Sequence, residues 1–147
     1  MEELEFKFSV DWTKSAFYCG LDVHKYEIAV ALYSQDDSCS DFLKTSTFST
    51  DSKGLQQMWS FVKKYRPTAF AMEATGIYHH IPFKFLYEKR SQVHWPFKIL
   101  IVNPADASGL PGRRKADKID AEHLAKYLAK GLLGPGQPII EVLEDLK

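Results

Sequence analysis

The order of its periodic segments constrains this chain more than any other feature. Phe17-Tyr18-Cys19-Gly20-Leu21-Asp22-Val23 reads as a strand, with Cys19, Leu21 and Val23 on one face. After His24-Lys25 comes Tyr26 to Tyr33, rich in Ile, Val and Ala. The turn residues Gln35-Asp36-Asp37-Ser38 follow, then a more polar extended run from about Asp41 to Phe48. Three successive extended runs with short connections predict an antiparallel meander. The period then changes. Ser49-Thr50-Asp51 offers N-cap side chains, and Leu55, Met58, Trp59 and Val62 follow at helical spacing until Pro67. Thr68 to Met72 is a short apolar strand, Ile77 to Lys89 a second helix with aromatics on one face, and Lys98 to Val102 a fifth strand closed by Asn103-Pro104. A last helix is expected from about Asp117 to Lys130, ahead of the breaker Gly134-Pro135-Gly136-Gln137-Pro138. This order predicts an α/β fold with a mixed sheet. A three-stranded antiparallel meander comes first, and parallel crossover strands with flanking helices continue it.

The 147 residues suffice for one domain with a real core. A hydrophobic fraction of 45% argues against intrinsic disorder. Lys plus Arg and Asp plus Glu balance at 19 each, so a globally basic surface is excluded, though a locally basic one is not. Cys19 and Cys39 form neither a disulfide framework nor a CxxC zinc pair, and Cys19 reads as a small buried hydrophobe. Met1-Glu2-Glu3-Leu4-Glu5 is acidic and lacks the apolar core of a signal peptide. No apolar run approaches the roughly 20 residues a membrane helix needs. A soluble cytoplasmic protein without membrane contact is the expectation. Residues 1–16 are expected to form an arm, with Phe6, Phe8, Val10 and Trp12 alternating as in an extra edge strand.

Three places hold acids where folding alone argues against them. Asp22 stands near the end of an apolar strand, and Asp is depleted in strands. Glu73 stands at the C-terminal end of a crossover strand, just before Ala74-Thr75-Gly76, where open α/β sheets place their sites. Asp117, Asp120, Ala121, Leu124 and Leu128 fall at i, i+3, i+4, i+7 and i+11, so on a continuous helix both aspartates extend the core-facing stripe. A carboxylate at a core boundary needs a cation, a hydrogen-bond network or a raised pKa. Oxygen ligands without a Cys–His cluster favour Mg²⁺ or Mn²⁺. Two such ions about 3.5–4 Å apart can activate water and stabilise the leaving oxygen in phosphodiester cleavage. Each acid also has a structural reading: Asp117 as a first-turn acid favoured by the helix dipole, Asp22 as a turn cap. Residue types and spacing leave both readings open.

Four segments resemble one family. Gly20-Leu21-Asp22-Val23-His24-Lys25 resembles the first motif of the DEDD-type insertion-sequence transposases, a group that includes the Piv-type DNA invertases. Met72-Glu73-Ala74-Thr75-Gly76-Ile77-Tyr78-His79 is similar to the second, Val102-Asn103-Pro104 to the short signature after the next strand, and Lys115-Ala116-Asp117-Lys118-Ile119-Asp120-Ala121 to the third. The motifs occur in the family's order and span about residues 17–133. The resemblance implies an RNase H-like fold of the RuvC type over residues 17–133. It implies a divalent-metal tetrad of Asp22, Glu73, Asp117 and Asp120, with Mg²⁺ or Mn²⁺ as cofactor. The implied activity is DNA strand cleavage and exchange in transposition or site-specific inversion. It also implies a second, C-terminal domain carrying a nucleophilic serine, toward which residues 134–147 would be a linker and the start of a connecting helix. DNA is the implied partner, with an element-encoded guide RNA in some members and homo-oligomers of the full-length protein.

The basic loop Arg113-Arg114-Lys115, with Lys118, adjoins Asp117 and Asp120. Beside a metal site it suits phosphate-backbone contact; by itself it reads as a solvated charged loop. Lys25 is a further candidate phosphate contact or simply a strand-end residue. His24 shares the strand face of Asp22 and is read as orienting or structural, not as a ligand. Trp59, Phe61, Phe83, Phe85 and Tyr87 read as core or partner-facing residues, and no GxxxxGK[ST] or GxGxxG phosphate loop occurs. Two rival functions remain at this level. One is a truncated, non-catalytic module that binds nucleic acid or a transposase. The other is a phosphotransfer enzyme of the actin-like class, for which the chain lacks the length of a second nucleotide-binding half.

Overall fold

A computed structural model describes residues 16–35, 41–74, 76–102 and 119–133. Among these residues five strands and three helices follow one another: β1 (Phe17–Val23), β2 (Glu27–Ser34), β3 (Phe42–Ser49), α1 (Ser52–Lys63), β4 (Ala69–Glu73), α2 (His80–Arg90), β5 (Lys98–Val102) and α3 (Ala121–Ala129). The sheet order is β3-β2-β1-β4-β5. β1–β2 and β2–β3 pair antiparallel, and β1–β4 and β4–β5 pair parallel. The meander with its parallel continuation is therefore the architecture that the segment order predicts.

Strand alternation divides the core in two. Cys19, Leu21, Ile28, Val30, Leu32, Phe70, Met72, Ile99 and Ile101 face α1 and α2, and pack against Leu55, Met58, Trp59, Val62, Phe83 and Leu86. The opposite residues, Ala69, Ala71, Leu100 and Val102, pack against Leu124 and Tyr127 of α3, while Ala31 and Tyr33 meet Ala121 and Ala125. The first face is built of large side chains. The second is built largely of alanines where α3 crosses the strands, so that helix lies close to the sheet.

The helix ends follow local chemistry. Asp51 caps α1 by accepting from the Gly54 N–H at 2.8 Å, and the Ser49 hydroxyl donates to the same carboxylate at 2.7 Å. Beyond α1, Trp95 donates its indole N–H to the Pro67 carbonyl at 2.9 Å and stacks on Trp59 at 5.8 Å. α2 starts at His80 and not at Ile77. Gly76 at φ 62 opens a turn over residues 76–79 that a helix cannot contain. Of the aromatics expected on one face of α2, Phe83 is buried, while Phe85 and Tyr87 are partly buried against the same core.

The last helix requires a correction. It starts at Ala121, because Asp120 is extended (φ −79, ψ 171) and is the N-cap residue. Asp120 therefore lies off the core-facing stripe that a continuous helix from Asp117 would give it, and it is exposed. Asp117, the basic residues Arg113, Arg114, Lys115 and Lys118, Asn103-Pro104, Cys39, the arm at 1–15 and the segment 134–147 lie outside the described residues.

Candidate functional site

β1 and β4 are parallel neighbours, with Tyr18 opposite Ala69 and Leu21 opposite Met72. One residue further, that register sets Asp22 beside Glu73. Gly20 and Asp22 share a face of β1; Ala69, Ala71 and Glu73 share a face of β4. Both are the α3 face. The two carboxylates thus stand on adjacent strands, whose backbones run roughly 4.8 Å from each other, at the carboxyl ends where open sheets hold their ligands.

Glu73 is 3% exposed, and its Oε1 accepts the Ile119 N–H at 3.0 Å. That bond ties the strand end to the segment entering α3. Asp22 is partly buried, and its Oδ2 lies 3.3 Å from Nε2 of the half-exposed His24. His24 thus stands against the Asp22 carboxylate, just beyond the end of β1.

α3 is positioned by a glycine. A Cβ on Gly20 would lie 2.0 Å from the Ala121 carbonyl oxygen and 2.8 Å from the Ala125 nitrogen. Only a residue without a Cβ lets the helix backbone rest there. The first turn of α3 therefore sits on β1 two residues before Asp22, and Asp120 immediately precedes that turn.

Asp120 is occupied by its own helix. Its Oδ1 accepts from the His123 N–H at 2.8 Å and lies 2.8 Å from His123 Nδ1. Partial burial opposes its charge. The His123 N–H and ring, with the charges of His123 and Lys126, outweigh that and hold the carboxyl below its ordinary range. Asp22, Glu73 and the Ile119-Asp120-Ala121 segment come to one end of the sheet. Yet among the described residues no group of three or more His, Cys, Asp or Glu side chains is arranged to hold a metal ion. Lys25 is exposed in the turn between β1 and β2 at this same end, its Nζ 5.2 Å from the Tyr26 ring.

Three contributors escaped the reading of the sequence. Gly20 carried a signal, since an isolated glycine inside an apolar strand marks a close backbone approach. His123 carried a weaker one, three residues after an N-cap aspartate. The Ile119 N–H carried none, because a backbone donor has no residue type.

Among the described residues no helix is long and apolar enough to cross a membrane. No curated protein sequence matches this chain. Among solved structures it is similar to RuvC of Thermus thermophilus, with 12% identity and a TM-score of 0.52 over 80% of this chain and 92% of that one. It is also similar to T. thermophilus RuvC in complex with a Holliday junction substrate, with 10% identity and a TM-score of 0.50 over 80% and 91%. At such identities the likeness is one of fold, and the fold is RNase H-like, of the RuvC type. A transposase family model of the IS110-type DEDD group matches residues 19–147, and the chain belongs to that family.

Proposed function

We propose that this chain is the N-terminal catalytic domain of a DNA transposase or site-specific recombinase, and that it cleaves and exchanges DNA strands with a divalent cation. One observation carries the reading. Asp22 and Glu73 stand side by side on one sheet face, at the strand ends, beneath the N-terminus of α3. A fold has no packing use for two adjacent partly or fully buried carboxylates.

The donor set fits a hard cation in its chemistry: carboxylate oxygens, with no cysteine beside them among the described residues. Asp22, Glu73, Asp117 and Asp120 would hold Mg²⁺ or Mn²⁺, which would supply positive charge to the scissile phosphate. The chain's own groups do the rest. The Ile119 N–H fixes the rotamer of Glu73, and His24 braces Asp22. Val102, the neighbour of Glu73 across β4–β5, is buried in the same cluster as Ala71 and Leu124. Asp120 would join the set if its carboxylate were released from the His123 N–H and ring. Arg113, Arg114, Lys115, Lys118 and Lys25 would neutralise the DNA backbone, and DNA is the proposed partner. A guide RNA, oligomers of the full-length protein and a connecting segment at 134–147 belong to the same reading.

A second reading, a nucleic-acid-binding or transposase-interaction module without chemistry, draws on the commitment of Asp120 to its cap. Calorimetric titration with Mn²⁺ and Mg²⁺ separates the two. The catalytic reading expects binding in the wild type, and loss of it in Asp22→Asn and in Asp120→Asn with the fold intact. Equal binding by Asp22→Asn and wild type refutes the site. Nucleic-acid binding that needs neither metal nor carboxylates supports the module.

A further inference from the structure

Tyr26 is 73% exposed, the most exposed large hydrophobic side chain among the described residues. It lies four residues after Asp22, in the turn joining β1 to β2, at the sheet end that carries both carboxylates. A tight turn ordinarily takes Gly, Asn or Asp, and a solvated tyrosine contributes nothing to the core.

The turn is held firmly. The His24 N–H donates to the Glu27 carbonyl at 2.8 Å. The Thr50 N–H donates to the Tyr26 carbonyl at 3.2 Å, and the Thr50 hydroxyl donates to the Lys25 carbonyl at 3.2 Å. The backbone under the ring is thus tied both to its own hairpin and to the end of β3, so the ring is presented at little further cost in backbone entropy. Lys25 places its ammonium 5.2 Å from the ring centroid.

That ammonium lies over one face of the ring, and an aromatic ring with a cation at hand is the pair that single-stranded nucleic acid uses: a surface for a base and a charge for its phosphate. A protein partner would call for a contiguous apolar patch. Here Tyr26 stands among exposed His24, Lys25 and Glu27. We infer that Tyr26 is a stacking platform for an unpaired base beside the scissile phosphate, with Lys25 on that nucleotide's phosphate. The inference rests on the strand-cleavage reading above and adds to it the state of the DNA: a base out of its stack at the site.

The test uses the full chain with a single-stranded oligonucleotide and a four-way DNA junction, each carrying 2-aminopurine at an unpaired or branch-point position. Affinity is followed against salt, and stacking by 2-aminopurine quenching. Wild type should quench on binding. Tyr26→Ala should bind about tenfold more weakly and lose the quench at an unchanged melting temperature, and Tyr26→Phe should keep both. Lys25→Ala should keep the quench while the slope of log affinity against log salt falls by about one. Wild-type binding without quenching, or quenching that persists in Tyr26→Ala, overturns the stacking role and leaves strand cleavage standing. A wild type that binds neither DNA overturns the reading on which both depend.

Discussion

Replacing Gly20 by alanine tests whether close helix–strand contact builds this site. The added Cβ would meet the Ala121 carbonyl oxygen at 2.0 Å and the Ala125 nitrogen at 2.8 Å. Both are backbone atoms, so no flexible side chain can swing away. Ala31, Ala121 and Ala125 are already small and buried, which leaves no slack around the crossing. α3 must retreat by about 1 Å or more to restore ordinary contact. Overpacking costs about 1–3 kcal/mol, and backbone on both sides places this case near the top of that range. Alanine recovers roughly 0.5–1 kcal/mol, because it is the better strand residue. The net loss is then about 2 kcal/mol, a fall in melting temperature of about 4–8 °C for a domain of this size. The retreat should also break the 3.0 Å bond from the Ile119 N–H to Glu73. A misplacement of about 1 Å at a reacting centre can cost on the order of 10²-fold in rate. Thermal melting and hydrogen exchange at the Ile119 amide read the two effects separately. A Gly20→Ala protein that melts within about 2 °C of wild type and protects that amide equally would refute the argument.

The remaining predictions concern caps and a thiol. Asp120→Ala should cost about 1 kcal/mol through loss of the N-cap, and Asp120→Asn, which keeps a capping oxygen but loses the charge facing His123 and Lys126, should lose less; denaturant unfolding of the two variants decides it, and equal loss in both would show that the charge, not the cap, stabilises α3. The Gly54 N–H and the Ser49 hydroxyl hold Asp51 below the ordinary carboxylate range, and the contacts with His123 and Lys126 outweigh burial to do the same for Asp120. Their stabilising effect is fully present above the unfolded pKa near 4 and is lost as pH falls through the lower folded values. Urea unfolding between pH 6 and 2 should therefore show stability declining below about pH 4, and the double variant Asp51→Asn/Asp120→Asn should flatten that decline. Burial pushes the Cys19 thiol far up, so in a Cys39→Ser background a thiol reagent should label the chain only on unfolding; rapid labelling of the native protein would contradict the packing of β1.

Much of this protein was legible from local patterns. Alternation in Phe17–Val23, helical spacing from Leu55 to Val62 and the cap at Asp51 are decided by residues a few positions apart, and those elements appear where the patterns put them. Asp22 and Glu73 were legible as acids at strand ends because a charged residue in an apolar run has no packing use. Two helix starts were not legible. Ile77 continues an apolar pattern, but Gly76 at positive φ turns the chain before α2 begins. Asp120 falls on a helical spacing, yet the chain enters α3 extended. In both cases residue spacing describes a helix that exists without saying where the backbone enters it.

The sequence by itself determined the element order, and through strand alternation it determined that Asp22 and Glu73 each lie at a strand end on a definite face. Only the tertiary structure decided that the faces are the same one, that β4 joins β1 in parallel register, and that Ile119 reaches Glu73 across 46 positions of sequence. The physical reason is range. Periodicity reports on neighbours within a turn or a pleat, whereas strand order and the close seat of α3 on Gly20 come from packing elements that the chain places far apart.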